Sequence, residues 1–178
     1  MIFKDRIIDI INVLEKRGVV CLPDDHRWNL AIHPSFYQNG VVAKEFSSIT
    51  EGIPTILYES LNHLKSGLPS LHPRVETMLV YYNRTFLMTT NADKVKHIPV
   101  VSEVYHLSIA RNEYLKTILS LLGNVLILWP LKNASGPDYQ IPEEIIQISD
   151  YVCQERDYLN SSENYVTFSV DEEGVLID

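Results

Sequence analysis

The sequence predicts a layered α/β domain, because short apolar runs and amphipathic helical segments alternate along most of the chain. Two segments fix the reading. Glu113 to Leu122 places Tyr114, Leu115, Ile118, Leu119 and Leu122 on one helical face, and Gly123 supplies the stop. Val125 to Trp129 is a continuous apolar run, long enough for a fully buried strand and too short for a helix.

The other elements follow in order. Phe3 to Arg17 reads as an amphipathic helix through Phe3, Ile7, Ile10, Ile11 and Leu14, ended by Gly18. Val19 to Leu22 is a strand entering a loop at Pro23, and Leu30 to Ile32 is a second short strand. His33 to Thr50 stays ambiguous: Val41, Val42 and Phe46 fit a helix, but Asn39-Gly40 interrupts it. Pro54 to Tyr58, Thr85 to Thr89 and Val104 to Ile109 read as strands. Pro73 to Tyr82 reads as a helix with Pro73 in its first turn. Pro142 opens a last helix, with Glu143 and Glu144 where the dipole favours them. Tyr165 to Val170 alternates like a strand, and the polar stretch Asn160 to Asn164 is expected to be mobile.

The chain has 178 residues, suiting one domain, and a 46% hydrophobic fraction that can fill a core without stapling. Its formal net charge of −8 disfavours a large basic nucleic-acid footprint, so RNA is a disfavoured partner. Cys21 and Cys153 sit in apolar stretches and read as buried free thiols. The charged N-terminal segment is no signal peptide, and no apolar run approaches the ~20 residues of a membrane span, so a cytoplasmic location without membrane contact is expected. Phosphate-binding glycine loops, HExxH, GxSxG and CxxC are all absent, and no metal site is expected. One polar cluster stands out. Asp24, Asp25 and His26 follow a strand end, where α/β sheets place ligands, although a solvated turn after Pro23 explains them equally well.

Residues Gly18 to Leu30 (GVVCLPDDHRWNL) resemble the signature GxVVxxPTDTVYGL of the YrdC-like threonylcarbamoyl-adenylate synthase family. Further landmarks follow in family order. Leu71 to Leu79 with Arg84 to Leu87 resembles HPrvexLL…RPLT. Leu107-Ser108-Ile109 sits where the family has IRI. Trp129 to Gly136 resembles the STSANISG loop, and Glu144 to Cys153 resembles the closing EI…VDYVV element. The resemblance implies a single YrdC-like domain over 1–178, with a twisted open mixed sheet and flanking helices around a concave cavity. It implies a reaction joining threonine, bicarbonate and ATP with release of pyrophosphate, in the service of tRNA modification, and also double-stranded RNA binding.

The same resemblance puts the chemistry in doubt. A catalyst of that reaction needs fixed cations and hydrogen-bond donors aimed at the charge of bicarbonate, carboxylate and triphosphate. The KxR positions fall on Ser47 and Ile49, the IRI arginine on Ser108, the SxN serine on Leu131 and the RPLT threonine on Leu87. The PTDT threonines become Asp24 and His26, and the glycine before Leu30 becomes Asn29. Asp25, Arg84 and Asn133 survive. Asp24 adds a negative charge where polyphosphate would approach; at an effective dielectric of 20, like charges 4 Å apart repel by ~4 kcal/mol. A register shift between Asn39 and Ile53 would bring Lys44 near the lost lysine, and Lys132, Arg27 or Arg111 are further substitutes. The candidate ligand pocket is therefore Asp24, Asp25, His26, Trp28, Arg84, Ser108, Leu131, Lys132, Asn133 and Ser135. Trp28 and Trp129 are placed at its flanks, as packing residues or as a platform for adenine. ATP and threonine are the ligands the family suggests. A small-molecule ligand is expected, and the sequence leaves the oligomeric state open.

Overall fold

The structure, a computed structural model, describes residues 2–39, 46–81, 86–99, 102–157, 159 and 168–177. Its strands are β1 (Val20–Pro23), β2 (Arg27–Ile32), β3 (Thr55–Tyr58), β4 (Phe86–Asn91), β5 (Val104–Ile109), β6 (Leu126–Ser135), β7 (Tyr151–Val152) and β8 (Phe168–Val170). Its α-helices are α1 (Ile7–Glu15), α2 (Leu61–Gly67), α3 (Pro73–Tyr81), α4 (Glu113–Leu122) and α5 (Glu143–Ile148). The strands form one mixed sheet in the order β7-β1-β2-β6-β3-β5-β4-β8. The β1/β7, β3/β5 and β4/β8 pairs are parallel; β1/β2, β2/β6, β3/β6 and β4/β5 are antiparallel. This is the α/β sheet with flanking helices expected of a YrdC-like fold.

Helix α4 forms where its apolar face predicts. The Asn112 side chain accepts a hydrogen bond from the Leu115 amide at 2.8 Å, capping the N-terminus. Gly123 ends the helix at φ +65°, the left-handed region that glycine enters without steric cost. The ambiguous stretch after His33 contains a 3-10 helix, Pro34–Asn39, and residues 40–45 lie outside the described residues. The polar stretch 160–164 also lies outside them.

Period-2 alternation divides the sheet's two faces. Ile56 and Tyr58 of β3, Tyr105 and Leu107 of β5 and Met88 of β4 join a core with Leu64 of α2 and with Val75 and Leu79 of α3. Thr55, Leu57, His106, Ser108 and Leu87 alternate with them and therefore point to the opposite face. In register, Thr55 stands between His106 of β5 and Leu128 of β6, and Leu57 stands beside Ser108. A second, larger core joins α1, α4, β1, β2 and β6. Cys21 and Cys153 are buried there as free thiols, and burial pushes the Cys21 thiol up to about 12.

Two features reshape the sheet near the hairpin between β1 and β2. Between Arg27 and Asn29 the β6 partner jumps from Ser135 to Pro130, so β6 bulges away from β2. The displaced residues pair instead with the segment before β3: Thr50 bridges Leu131, and the Lys132 amide donates to the Ile49 carbonyl at 3.1 Å. Asn133 turns this bulge at φ +53°, a conformation that asparagine tolerates better than most residues. No helix among the described residues is long and apolar enough to cross a membrane.

Candidate functional site

The β1–β2 turn, the end of β5 and the start of α4 enclose a cavity on the alternating polar face of the sheet. It is lined by Asp24, Asp25, His26 and Arg27 of the turn, and by Ser108, Ala110 and Arg111 at the end of β5. Its floor is Thr55, Leu57, Leu87 and Leu128. Its volume is about 30 Å³, space for ordered water and far below the roughly 300–1,000 Å³ of a pocket that holds a small organic ligand.

The turn is built by side chains. One oxygen of Asp24 accepts the amides of His26 and Arg27 at 2.7 and 2.6 Å. The other accepts Asn29 Nδ2 at 3.1 Å. The charge expected at the polyphosphate approach is thus committed to folding the hairpin back on itself. Asp25 Oδ1 accepts Asn112 Nδ2 at 2.7 Å, which ties the turn to the cap of α4. Burial raises the Asp25 carboxyl above its ordinary value, the Asn112 bond opposes this, and the neighbouring Asp24 charge adds to it. Burial lowers the His26 imidazole. Arg111 donates to the Leu79 carbonyl at 3.1 Å, reaching across to α3.

A second, wider cavity of about 330 Å³ adjoins the first and is lined by Arg27, Glu51, Gly52, Ile53, His106 and Pro130. Arg27 lines both. His106 Nδ1 lies 3.1 Å from Thr89 Oγ1. Burial, and then the Arg27 charge, hold the His106 imidazole below its ordinary value. His106 is absent from the sequence-derived residues. Its signal was available, since it lies two residues before Ser108 on the same strand and so on the same face.

The sequence-derived residues divide accordingly. Asp24, Asp25, His26 and Ser108 line the narrow cavity. Trp28 points to the opposite side of β2 and is fully buried, with the Arg156 guanidinium 4.7 Å above its ring. Leu131 is buried in the core, and Lys132 Nζ donates to the Ser48 carbonyl at 2.9 Å. Asn133 and Ser135 are exposed in the bulge. These four and Trp28 are not among the residues lining either cavity, and neither is Trp129. Arg84 and Lys44 lie outside the described residues. The segments Pro23 to Arg27 and Leu131 to Gly136, which both contribute to the expected pocket, are direct neighbours: Arg27 pairs with Ser135, and the Gly136 amide donates to the His26 carbonyl at 3.0 Å. Ser47 is exposed, and Ile49 packs against the core. Among the described residues no three His, Cys, Asp or Glu side chains are grouped to hold a metal ion.

This architecture is YrdC-like. The chain is similar to E. coli YciO, with a TM-score of 0.67 at 15% sequence identity over 93% of this chain and 84% of that one. It is similar to P. abyssi Sua5 complexed with L-threonine, with a TM-score of 0.66 at 13% identity over 93% of this chain but only 50% of that one. T. kodakarensis HypF matches with a TM-score of 0.68 at 14% identity, the chain spanning 23% of its length. No family model and no curated protein sequence matches the chain. At these identities the likeness shows the fold.

Proposed function

We propose that this chain is a YrdC-like ligand-binding or regulatory module that has lost threonylcarbamoyl-adenylate synthesis. One observation carries the reading: the sheet face that would hold ATP and threonine carries Ser108 and Leu57 over a cavity of about 30 Å³, closed by a turn built on Asp24. Phosphoryl and carboxylate groups need converging cations and donors there. Two carboxylates, Asp24 and Asp25, instead share that lining with Arg27 and Arg111, Ser47 is exposed, and Ile49 is committed to packing. The module acts in the cytoplasm and binds a less anionic small molecule than ATP, and the net charge of −8 keeps it off duplex RNA.

One observation favours a second reading, an active synthase with substitute cations: Arg27 and Arg111 both line the narrow cavity. Isothermal titration with ATP, with and without threonine, separates the two. The module reading predicts no heat of binding for ATP in either titration, and micromolar binding of ATP strengthened by threonine supports the synthase.

A further inference from the structure

Arg27 has been given no work by the fold beyond its backbone. Its amide closes the hairpin on Asp24, yet among the described residues its guanidinium has no hydrogen-bond or ion-pair partner within reach. It is only half-buried, and it lines the wide cavity opposite His106. A guanidinium presents a rigid fork of donors suited to two oxygens of one oxyanion. The His106 ring is anchored at Nδ1 by Thr89 Oγ1, and among the described residues its Nε2 makes no hydrogen bond.

We propose that this cleft binds the carboxylate of a small, singly charged organic acid, held by the Arg27 guanidinium with His106 as the second contact. The inference rests on the reading of the cleft as a ligand site without synthase chemistry and names the class of ligand it takes. Charge fixes the class. Among the described residues Arg27 is the one Lys or Arg lining the wide cavity, Glu51 stands on its rim, and Asp24, Asp25 and Arg111 lie in the adjoining cavity. Across the two cavities three carboxylates stand against two guanidiniums, a net negative lining that opposes a dianion more strongly than a monoanion held on the Arg27 fork. Ile53 and Pro130 offer apolar surface for the rest of the molecule.

The groups facing His106 are Thr55 on β3, Thr89 on β4, Arg27 on β2 and Glu51 in the segment before β3. Of these, Arg27 is the cause that depresses the imidazole besides burial. A carboxylate on Arg27 cancels that repulsion, so binding and protonation of His106 strengthen each other. Affinity for the acid therefore rises as pH falls through the His106 midpoint.

The test follows the His106 side-chain NMR signal, assigned with His106→Asn, through a pH titration of the full chain. Acetate and sulfate are added separately at constant ionic strength in chloride. Acetate is expected to move the His106 midpoint upward in the native protein and to leave it unmoved in Arg27→Gln, whose own midpoint already lies higher. Arg27→Lys, which keeps the charge without the fork, is expected to respond to acetate more weakly than the native protein. Backbone amide spectra report that each variant is folded. The proposal is overturned by no response to acetate, by an equal response in Arg27→Gln, or by a larger response to sulfate. None of these outcomes bears on pyrophosphate release, so this inference and the loss of synthase chemistry fail separately.

Discussion

Asn29 Nδ2 donates to Asp24 Oδ2 at 3.1 Å across the β1–β2 hairpin. Both residues stand where the resembled family has something else, a glycine at Asn29 and a threonine at Asp24, and each supplies what the other needs. The two replacements are therefore one structural change. Asp24 also accepts two amides of the turn, so its removal leaves half-buried donors unpaired. Asp24→Ala is expected to destabilise the protein by about 1–3 kcal/mol in urea unfolding. A double-mutant cycle with Asn29→Ala is expected to give a coupling of about 0.5 kcal/mol or more between the two. Additive effects of the two substitutions would show that the pair is incidental.

Asp25 carries a pH dependence of opposite sign to that of a salt-bridged carboxylate. Its folded-state pKa is raised above the ordinary 3.8, chiefly by burial. Its contribution to stability is therefore complete below the unfolded value and is lost as pH rises through the raised folded value. Asp25→Asn keeps the contact to Asn112 and removes the ionisation. The variant is expected to gain stability relative to the native protein as pH rises from 3.8 towards neutrality, with the two curves converging below 3.8. Urea midpoints measured across that range check it, and a difference that is constant with pH would assign no role to ionisation.

Arg156 closes the far side of β2. Its guanidinium lies 4.7 Å from the Trp28 ring centre, and its Nη1 donates to the carbonyls of Pro137 and Tyr139 at 3.1 and 2.7 Å. It thereby pins the chain after β6 over the buried indole. Arg156→Ala is expected to cost about 1–3 kcal/mol and to shift tryptophan emission to the red as water reaches Trp28. Arg156→Lys is expected to restore less than half of the loss, because the planar stack cannot form. Full rescue by lysine would reduce the contact to simple charge.

Tyr58 and Gly67 form a tight pair between β3 and α2. A Cβ at Gly67 would come within 2.7 Å of the Tyr58 hydroxyl, and among the described residues that buried hydroxyl has no hydrogen-bond partner. Tyr58→Phe is expected to be neutral or to stabilise by about 1 kcal/mol, since it removes an unsatisfied polar group. Gly67→Ala is expected to destabilise the native protein and to be tolerated in the Tyr58→Phe background. Thermal unfolding of the four proteins decides it, and an equal cost of Gly67→Ala in both backgrounds would locate the strain elsewhere.

Where sequence and structure agree, the reason is strong local patterning. Strand β5 runs over Val104–Ile109 and α4 over Glu113–Leu122, as their apolar periods and the Gly123 stop predict. The differences lie where tertiary pairing overrides composition. β2 begins at Arg27 rather than Leu30, because polar Arg27, Trp28 and Asn29 pair with β1 and β6. β6 extends from Leu126 to Ser135 instead of ending at Trp129, since Leu131, Lys132 and Ser135 find partners at Thr50, Ile49 and Arg27. Helix α2 carries only Leu64 and Gly67 as buried residues, too few for a readable stripe; its one local signal is Ser60, whose side chain accepts the His63 amide. The short strand β7 has two residues and depends wholly on β1. At the site, the turn residues Asp24, Asp25 and His26 were legible from their place after a strand. Arg27 was legible only as one of several substitute cations; its place between two cavities was not, because a single arginine at a hairpin has no pattern of its own until β6 bulges away from it.

Pyrophosphate release tests the proposed loss of threonylcarbamoyl-adenylate synthesis. Purified protein is incubated with ATP, bicarbonate and threonine, beside an identical mixture without threonine. Equal release in the two is expected. One missing oxyanion donor typically costs about 100- to 1000-fold in rate, and the positions at Ser47, Ile49, Ser108 and Leu131 all lack the family's groups. Losses within one unit do not multiply, yet a single such penalty already brings turnover towards background. Robust threonine- and bicarbonate-dependent release, abolished in Arg27→Gln or Arg111→Gln, would show that synthesis is retained and identify the arginines that took over.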